Sequence, residues 1–579
     1  MFVKRTLPTG IQIVILLAIV LLVYGNALYC GFVWDDEDLI VKNPKITSFD
    51  HPSNFFKIEP FYRNYFRPII SISFALDYQI WKLNPFGYHL SNLIFHLISV
   101  MLIYFVFLRF LPRISAFLVA LIFGIHPIHT EAVTWISGRS DVLCVLFYLT
   151  SILCFLNFWD TRSKRNSGFL YFLSCLFFFC ALLSKEMAAT LPLILAAWIF
   201  FFSNEFDLNK QKPKNKSIYI IPFFIILLIY LVWRKLVVGN WLYSPQGPEI
   251  LFLGWQTTIW IILKYVQLLL LPWKLSAFYD ILPNSEVLNF SSLFGSLFFI
   301  SSLIFVFIYC SRKTIKLITF GLLWFILTLL PISNLIPTTN IYLAERYVYL
   351  PSLGYCLIMG WFLGGLVFRK NLASHSLLRI ILTVALISLS FLYAWRTITR
   401  NTAWKDNFTF SQGLLQTDTH SVYGHYYLGL TYAQKGENEK SKSEYLTTLS
   451  LKPDMRGPHF NLGILYYQEG DIPQAKEEFK KEIEIDPSYA EAYYNLGTIY
   501  KNSGVIDSAV LFLQKAINID PGFTYAYINL AVVYQSTGSN AKALSMWEKA
   551  LTLKPDSLWL NRINENIRNI KATIYQENK

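Results

Sequence analysis

Residues 11–41 read IQIVILLAIVLLVYGNALYCGFVWDDEDLIV. As far as residue 29 the stretch is apolar, and as a helix it is long enough to cross roughly 30 Å of hydrocarbon. Lys4 and Arg5 precede it, as they would in a secretory signal. The apolar run is long, however, and lacks a clear small-residue cleavage site, so it is expected to remain as a membrane anchor. Four acidic side chains, Asp35, Asp36, Glu37 and Asp38, follow beside Phe32 and Trp34. Carboxylates clustered next to a bilayer are either a solvated charge run or part of a site at the membrane surface.

The whole chain fits a membrane setting. Of its 579 residues, 54% are hydrophobic, 17% aromatic and only 15% charged, against about 25% charged in soluble chains. The net charge of +13 does not read as a nucleic-acid footprint, because the basic residues sit in short clusters between apolar stretches, as in loops held at a cytoplasmic face. Cys30, Cys144, Cys154, Cys175, Cys180, Cys310 and Cys356 lie in or beside apolar segments with no CxxC pair. Neither a disulfide framework nor a zinc site is indicated.

Spanning helices are expected near 11–29, 90–111, 114–134, 142–159, 168–184, 187–203, 218–238, 290–310, 315–331, 348–368 and 376–396. Lys4/Arg5, Arg109/Arg113, Arg162/Lys164/Arg165, Lys210–Lys216, Arg312/Lys313/Lys316 and Arg369/Lys370 then fall in alternate loops. The positive-inside rule places these loops in the cytoplasm. The acidic stretch, residues 126–141, Lys185/Glu186, Glu345/Arg346 and the C-terminal part lie outside. Residues 254–272 are apolar enough to span, but a crossing there would invert every later loop. They are read as embedded or re-entrant. Residues 69–82 hold Asp77 and are read as lying against the outer face.

From about residue 402 the pattern changes. Pro453, Pro487, Pro521 and Pro555 are 34 residues apart, as are Gly429, Gly463, Gly497 and Ala531. Tyr432, Tyr466, Tyr500 and Tyr534 keep the same period, and so do Gly436, Gly470, Gly504 and Gly538. This is the tetratricopeptide signature. The expected fold class is all-α: a polytopic membrane helical bundle of about eleven spans, followed by a C-terminal tetratricopeptide α-solenoid. The domains are 1–396, a connecting segment and leading helix over 397–421, four repeats over 422–557 and a capping helix over 558–579.

The outer loops hold ionisable groups at membrane depth, where they are costly and usually mark function. The segment HPIHTEAVTWISGRSD (126–141) contributes His126, His129, Glu131, Arg139 and Asp141. SKE (184–186) contributes Lys185 and Glu186, and AERY (344–347) contributes Glu345 and Arg346. A carboxylate base with cations suits attack of a hydroxyl on a phosphate-activated donor. The carboxylate takes the hydroxyl proton and the cations stabilise the departing phosphate. Asp35 is the expected base and Asp36 its support or acceptor contact, with the reverse assignment open. Arg139, Lys185 and Arg346 compete for the phosphate. The bland alternative is that Arg139–Asp141 and Glu345–Arg346 are ion pairs tying loops together. His126, His129 and Glu131 could hold a metal, but Pro127 interrupts the local helix and no third histidine is near. No metal or cofactor is expected. Phe55, Phe56, Phe61, Tyr62, Tyr65 and Phe66 could stack on a sugar or form an interfacial belt.

Several stretches in order, GFVWDDEDLIVKNP (31–44), NYFRPIISISFALDYQIWKLNPFGYHLSNLIFH (64–96), 126–141, 184–186, LLLPWKLSAFYD (269–280) and AERYVYLPSLGY (344–355), together with the repeats, resemble the transmembrane and tetratricopeptide-repeat O-mannosyltransferases and their bacterial relatives. That resemblance implies a GT-C glycosyltransferase fold. It also implies transfer of a sugar, mannose in the known eukaryotic cases, from a polyprenyl-phosphate carrier to protein hydroxyls on the non-cytoplasmic side. The family's acidic pair maps onto Asp35 and Asp36. The short repeat array and short cytoplasmic loops suggest a bacterial relative, in an inner membrane with periplasmic repeats.

The first helix of each repeat should line a concave face with Tyr423, Tyr426, Phe460, Tyr467, Tyr494 and Tyr525. Asn461, Asn495 and Asn529 recur at period 34 on it. Amides can pair with peptide backbone without reading sequence, and the ladder resembles that of the O-linked N-acetylglucosamine transferases. The repeats are thus expected to bind acceptor protein, or else the asparagines brace the array. Two other readings of the chain are a non-catalytic membrane scaffold and a lipid-carrier transporter. A scaffold has no need for Asp35, Asp36, Arg139, Lys185 and Arg346 on one face.

Overall fold

The computed structural model describes residues 8–58, 66–160, 164–206, 216–239, 255–279, 312–333, 343–368, 376–553 and 557–577. Among them there is no β-strand, as the all-α reading expects. The chain forms two compact units, Met1–Thr419 and His420–Lys579.

The first unit is a helical bundle of α1 (Thr9–Tyr24), α2 (Pro68–Trp81), α3 (Pro85–Phe107), α4 (Arg113–Ile125), the short α5 (Thr130–Val133), α6 (Arg139–Asp160), α7 (Lys164–Ser184), α8 (Leu191–Phe206), α9 (Ile221–Val238), α10 (Trp255–Leu270), α11 (Arg312–Leu329), α12 (Ser352–Phe368), α13 (Ser376–Asn401) and α14 (Asn407–Thr417). Eight helical stretches among the described residues are long and apolar enough to cross a membrane, or nine if the bent pair around Pro127 is one crossing. The chain is a multi-pass membrane protein. The span expected over 290–310 lies outside the described residues. The segment 254–272 forms α10, a helix of 16 residues. At 1.5 Å per residue it reaches about 24 Å, short of the roughly 30 Å hydrocarbon layer.

Two expected spans differ from the reading: the stretch 348–368 forms α12, which starts at Ser352 and has 17 residues, and the stretch 114–134 is bent. Residues 114–134 are not one straight helix: α4 ends at Ile125 and the chain bends by 50°. Pro127 disfavours the helical conformation for the residue before it, and His126 is extended, with φ −69° and ψ 127°. Where helices touch, small residues let backbones approach. A Cβ on Gly354 of α12 would lie 2.2 Å from the carbonyl oxygen of Gly321 in α11.

The second unit consists of helix pairs α15 (Val422–Gln434) and α16 (Asn438–Leu451), α17 (Pro458–Glu469) and α18 (Ile472–Ile485), α19 (Ala490–Asn502) and α20 (Ile506–Ile519), α21 (Thr524–Ser536) and α22 (Asn540–Thr552), then α23 (Ser557–Glu577). The period of 34 has a steric cause. A Cβ on Gly429, Gly463 or Gly497 would meet Tyr445, Phe479 or Leu513 of the second helix at 2.7 Å. Gly436, Gly470, Gly504 and Gly538 end each first helix with φ between 70° and 85°, the left-handed conformation that favours glycine at a helix C-terminus.

Candidate functional site at one end of the helical bundle

The acidic run resolves into one buried carboxylate and three more open ones. Trp34 adopts φ +59°, a left-handed conformation costing a bulky residue about 1–3 kcal/mol. The reversal folds Asp36 back, so that its Oδ2 accepts the Val33 N–H at 3.0 Å. Its Oδ1 accepts the N–H and hydroxyl of Ser137 at 2.9 and 2.5 Å. Asp36 is 1% exposed, and burial pushes its carboxyl up to about 7 against the pull of these hydrogen bonds. Asp35 is half-buried. Asp38 pairs with Lys42 at the surface, while Leu39 and Ile40 anchor the turn among Phe74, Tyr88 and Ile136.

An aromatic wall stands beside the pair. Trp34 stacks on Trp135 at 4.5 Å and packs against Phe278 at 4.7 Å. The Arg346 guanidinium lies 5.4 Å from the Trp34 ring centroid, 5.2 Å from Trp135 and 5.1 Å from Tyr347. It pairs with Glu131, which also accepts the Arg346 N–H at 3.0 Å. Lys185 lies 5.3 Å from the Tyr347 ring and donates to both oxygens of Asp141, at 2.7 and 2.6 Å. Arg67 binds Glu186 at 3.0 Å and Ser140 at 3.3 Å. Asp35, Asp36, Glu131, Lys185 and Arg346 are thus joined through one continuous set of loops.

Arg139 is sealed in the interior. It pairs with Asp77 at 2.6 Å and donates to Asn92 at 2.7 Å and the Tyr88 carbonyl at 2.9 Å. Its plane lies over Phe74. This enclosure lets it brace α2, α3 and α6 against one another, as the buried pair of Lys185 and Asp141 ties the end of α7 to the start of α6. The alternative pairings between sequence neighbours do not form. Arg139 meets Asp77, Asp141 meets Lys185 and Arg346 meets Glu131, while Glu345 lies 3.7 Å from Arg400. Neither i, i+1 nor i, i+2 neighbours face each other on a helix. Glu345 also accepts from the Tyr279 hydroxyl at 3.0 Å, and burial pushes its carboxyl up to about 8.

The histidines are framework. His126 Nε2 bonds the Leu269 carbonyl at 2.9 Å and its Nδ1 accepts the Ile128 N–H at 3.2 Å. His129 bonds the Phe123 carbonyl at 2.8 Å and the Ser352 hydroxyl at 2.9 Å. Among the described residues no cluster of His, Cys, Asp or Glu is arranged to hold a metal. Phe61, Tyr62 and Tyr65 lie outside the described residues. Phe56 and Phe66 pack on Trp233 and Phe55 on Phe49; Phe55 and Phe66 are buried in the core, whereas Phe56 remains exposed.

Sequence reading did not single out Arg67, Trp135, Tyr279 or Arg400, and it placed Asp77 against the outer face. The signal for Asp77 was present, since it is the only charge in an apolar helix. In the repeats, Asn461 donates to the Tyr426 hydroxyl at 3.4 Å. Asn529 donates to Thr498 at 3.0 Å and accepts from Lys501 at 2.7 Å. Both therefore brace neighbouring units. Asn495, half-buried beside Tyr494, makes no such bond among the described residues.

The fold and the grouped loops define a multi-pass membrane protein that carries a tetratricopeptide array. Models of the tetratricopeptide repeat match residues 465–504, 490–523 and 524–557. Over a longer stretch the chain is similar to proteins named protein O-mannosyl-transferase. It is 28% identical over 481 residues to human TMTC1, covering 75% of this chain and 54% of that protein. It is 24% identical over 491 residues to mouse TMTC3, covering 76% and 51%, and 26% identical to F38B6.6 of Caenorhabditis elegans, covering 76% and 63%. The resemblance to the transmembrane and tetratricopeptide-repeat O-mannosyltransferases therefore holds across most of the chain. The chain spans between half and two thirds of the length of these relatives.

Proposed function

We propose that this protein is a membrane glycosyltransferase that moves mannose from a polyprenyl-phosphate donor to Ser or Thr hydroxyls of proteins, without a metal or other cofactor. The observation that carries the reading is the placement of Arg346 against Trp34 and Trp135, the rings that flank the acidic pair and its Ser137 anchor. A proton acceptor and a cation thereby share one aromatic-walled region at the ends of membrane helices, where a lipid-borne phosphate would present its sugar. The names of the relatives support the same chemistry.

In this reading Asp35 takes the acceptor hydroxyl proton as the oxygen bonds to the sugar's anomeric carbon. The bond from that carbon to the phosphate oxygen breaks, and polyprenyl phosphate leaves with its electron pair. Arg346 and Lys185 offset the charge on the departing phosphate. Asp36, tied by three hydrogen bonds, fixes the loop. The alternation of basic loops supports a cytoplasmic N-terminus, with the acidic loop and the repeats on the other side. With Asn461 and Asn529 bracing the array, the repeats offer Tyr426, Tyr494 and Asn495 to the acceptor protein.

The test is transfer by the purified full chain, given synthetic polyprenyl-phosphate mannose and a Ser/Thr peptide, with the product read by mass spectrometry. A hexose on the peptide is expected. Absence of transfer to both peptide and protein acceptors overturns the reading.

A further inference from the structure

The sequence suggests that residues 397–421 merely connect membrane helices to repeats. Their first part instead lies along the loop that carries the acidic pair. Asn26 donates to the Ile398 carbonyl at 2.8 Å. Asn401 donates to the Val23 carbonyl at 3.1 Å and to the Asn26 side chain at 2.7 Å. The Gly31 N–H donates to the Lys405 carbonyl at 2.8 Å, and a Cβ on Gly31 would lie 3.3 Å from that oxygen. The last rung is the Trp34 N–H, which donates to Asn407 Oδ1 at 3.0 Å.

Asn407 is itself held. Asp406 caps α14, accepting the Thr409 N–H at 2.7 Å while Thr409 Oγ1 accepts the Asp406 N–H at 3.1 Å. This capping box starts the helix at a defined residue, so that Asn407 occupies its first turn. One turn on, Phe410 stacks on Trp34 at 5.9 Å and packs on Trp404 at 5.1 Å. The residue so gripped is the one with the left-handed backbone, immediately before Asp35.

We infer that Asn407 is a positioning residue for the acidic pair: by accepting the Trp34 N–H, it holds the residue before Asp35 in its left-handed turn and so sets where both carboxyl groups point. The inference rests on the proposed role of Asp35, but the hold on the loop can be measured without activity.

The experiment uses the full chain in lipid nanodiscs. Asn407→Ala removes the acceptor oxygen, whereas Asn407→Asp keeps one. In hydrogen–deuterium exchange, the alanine variant is expected to raise exchange across residues 33–40 by about fivefold or more, since local opening governs protection. Exchange in α3, α6 and the repeats should be unchanged, and the aspartate variant should keep the loop protected. With synthetic polyprenyl-phosphate mannose, Asn407→Ala should lower kcat about tenfold at an unchanged donor KM, because a base displaced by an ångström loses its alignment. Unaltered exchange over 33–40, or a loosened loop with undiminished kcat, overturns the inference. If the wild type transfers nothing from this donor, the proposed reaction fails, and the exchange comparison still decides whether Asn407 holds the loop. If the alanine variant does not purify intact, Asn407→Gln, which shifts the acceptor by one methylene, gives the same comparison.

Discussion

Ser137 donates both its backbone N–H and its hydroxyl to a single oxygen of Asp36, at 2.9 and 2.5 Å. The two residues lie on different loops, and between them they fix the acidic loop to the start of α6. Burial nevertheless dominates the titration of Asp36 and pushes it up to about 7, above the ordinary value near 3.9. A carboxyl raised in the folded state favours folding at low pH. Its contribution is complete below about pH 4 and is lost as pH rises through about 7. At about 1.4 kcal/mol per pKa unit, the swing is on the order of 4 kcal/mol. Thermal unfolding in detergent should therefore occur at a higher temperature near pH 5 than near pH 8 for the wild type, with a shallower dependence for Asp36→Asn. Glu345, raised by burial to about 8, acts in the same direction, so the slope is reduced and not abolished. An identical slope in the variant would remove Asp36 as its source.

Asp35→Asn is expected to leave insertion and unfolding temperature unchanged, because the side chain is half-buried and the Asp36 anchor stays in place. Transfer should fall by about 10²–10⁴-fold, the usual cost of losing a base. Turnover at the wild-type rate would exclude Asp35 as the proton acceptor.

Two arginines should respond in opposite ways. Arg139→Ala leaves Asp77 without its ion-pair partner in a dry interior, at a cost of about 3–5 kcal/mol, and should appear as poor expression or early unfolding. Arg346→Lys keeps a charge for Glu131 but loses the flat guanidinium that lies against Trp34 and Trp135, and these two cations are not equivalent at such sites. Its unfolding temperature should stay near that of the wild type while transfer drops about tenfold or more, equal to about 1.4 kcal/mol of barrier. Parallel unfolding and transfer measurements on both variants separate the brace from the cation at the site.

Within the repeats, Asn529→Ala removes bonds to Thr498 and Lys501 and should lower the stability of the array by about 0.5–1.5 kcal/mol per bond. Asn495→Ala breaks no bond within the array. It should leave unfolding unchanged and weaken a protein acceptor by about 2–10-fold, one net hydrogen bond, without affecting a short hydroxyl peptide. Calorimetry of the two variants beside acceptor titrations makes the comparison. Equal destabilisation by both would assign the whole ladder to bracing.

The legible parts of this chain were those governed by period and hydropathy. Gly429, Gly463 and Gly497 announce the repeats because each must admit a large side chain from the next helix. The spans stand out because lipid tolerates little else. Pairing was not legible, because it depends on which helices become neighbours. Arg139 and Asp141 look like partners in sequence, yet the turn of α6 sends one to Asp77 on α2 and the other to Lys185. Loop alternation alone led to the expectation that Lys185, Glu131 and Arg346 share a face with Asp35 and Asp36. The burial of Arg139 was not legible, since nothing in sequence tells which cations are sealed inside.

The rung between Trp34 and Asn407 joins residues 373 positions apart, and this sets an order of events in synthesis. At about 5–20 residues per second, the acidic loop emerges roughly 20–75 seconds before the segment that fixes it. Until then Trp34 lacks the side chain that accepts its N–H. A chain stalled between Arg346 and Asn407 would carry the chemical groups without that rung. The segment that follows α13 thus completes the hold on a loop made near the start of synthesis.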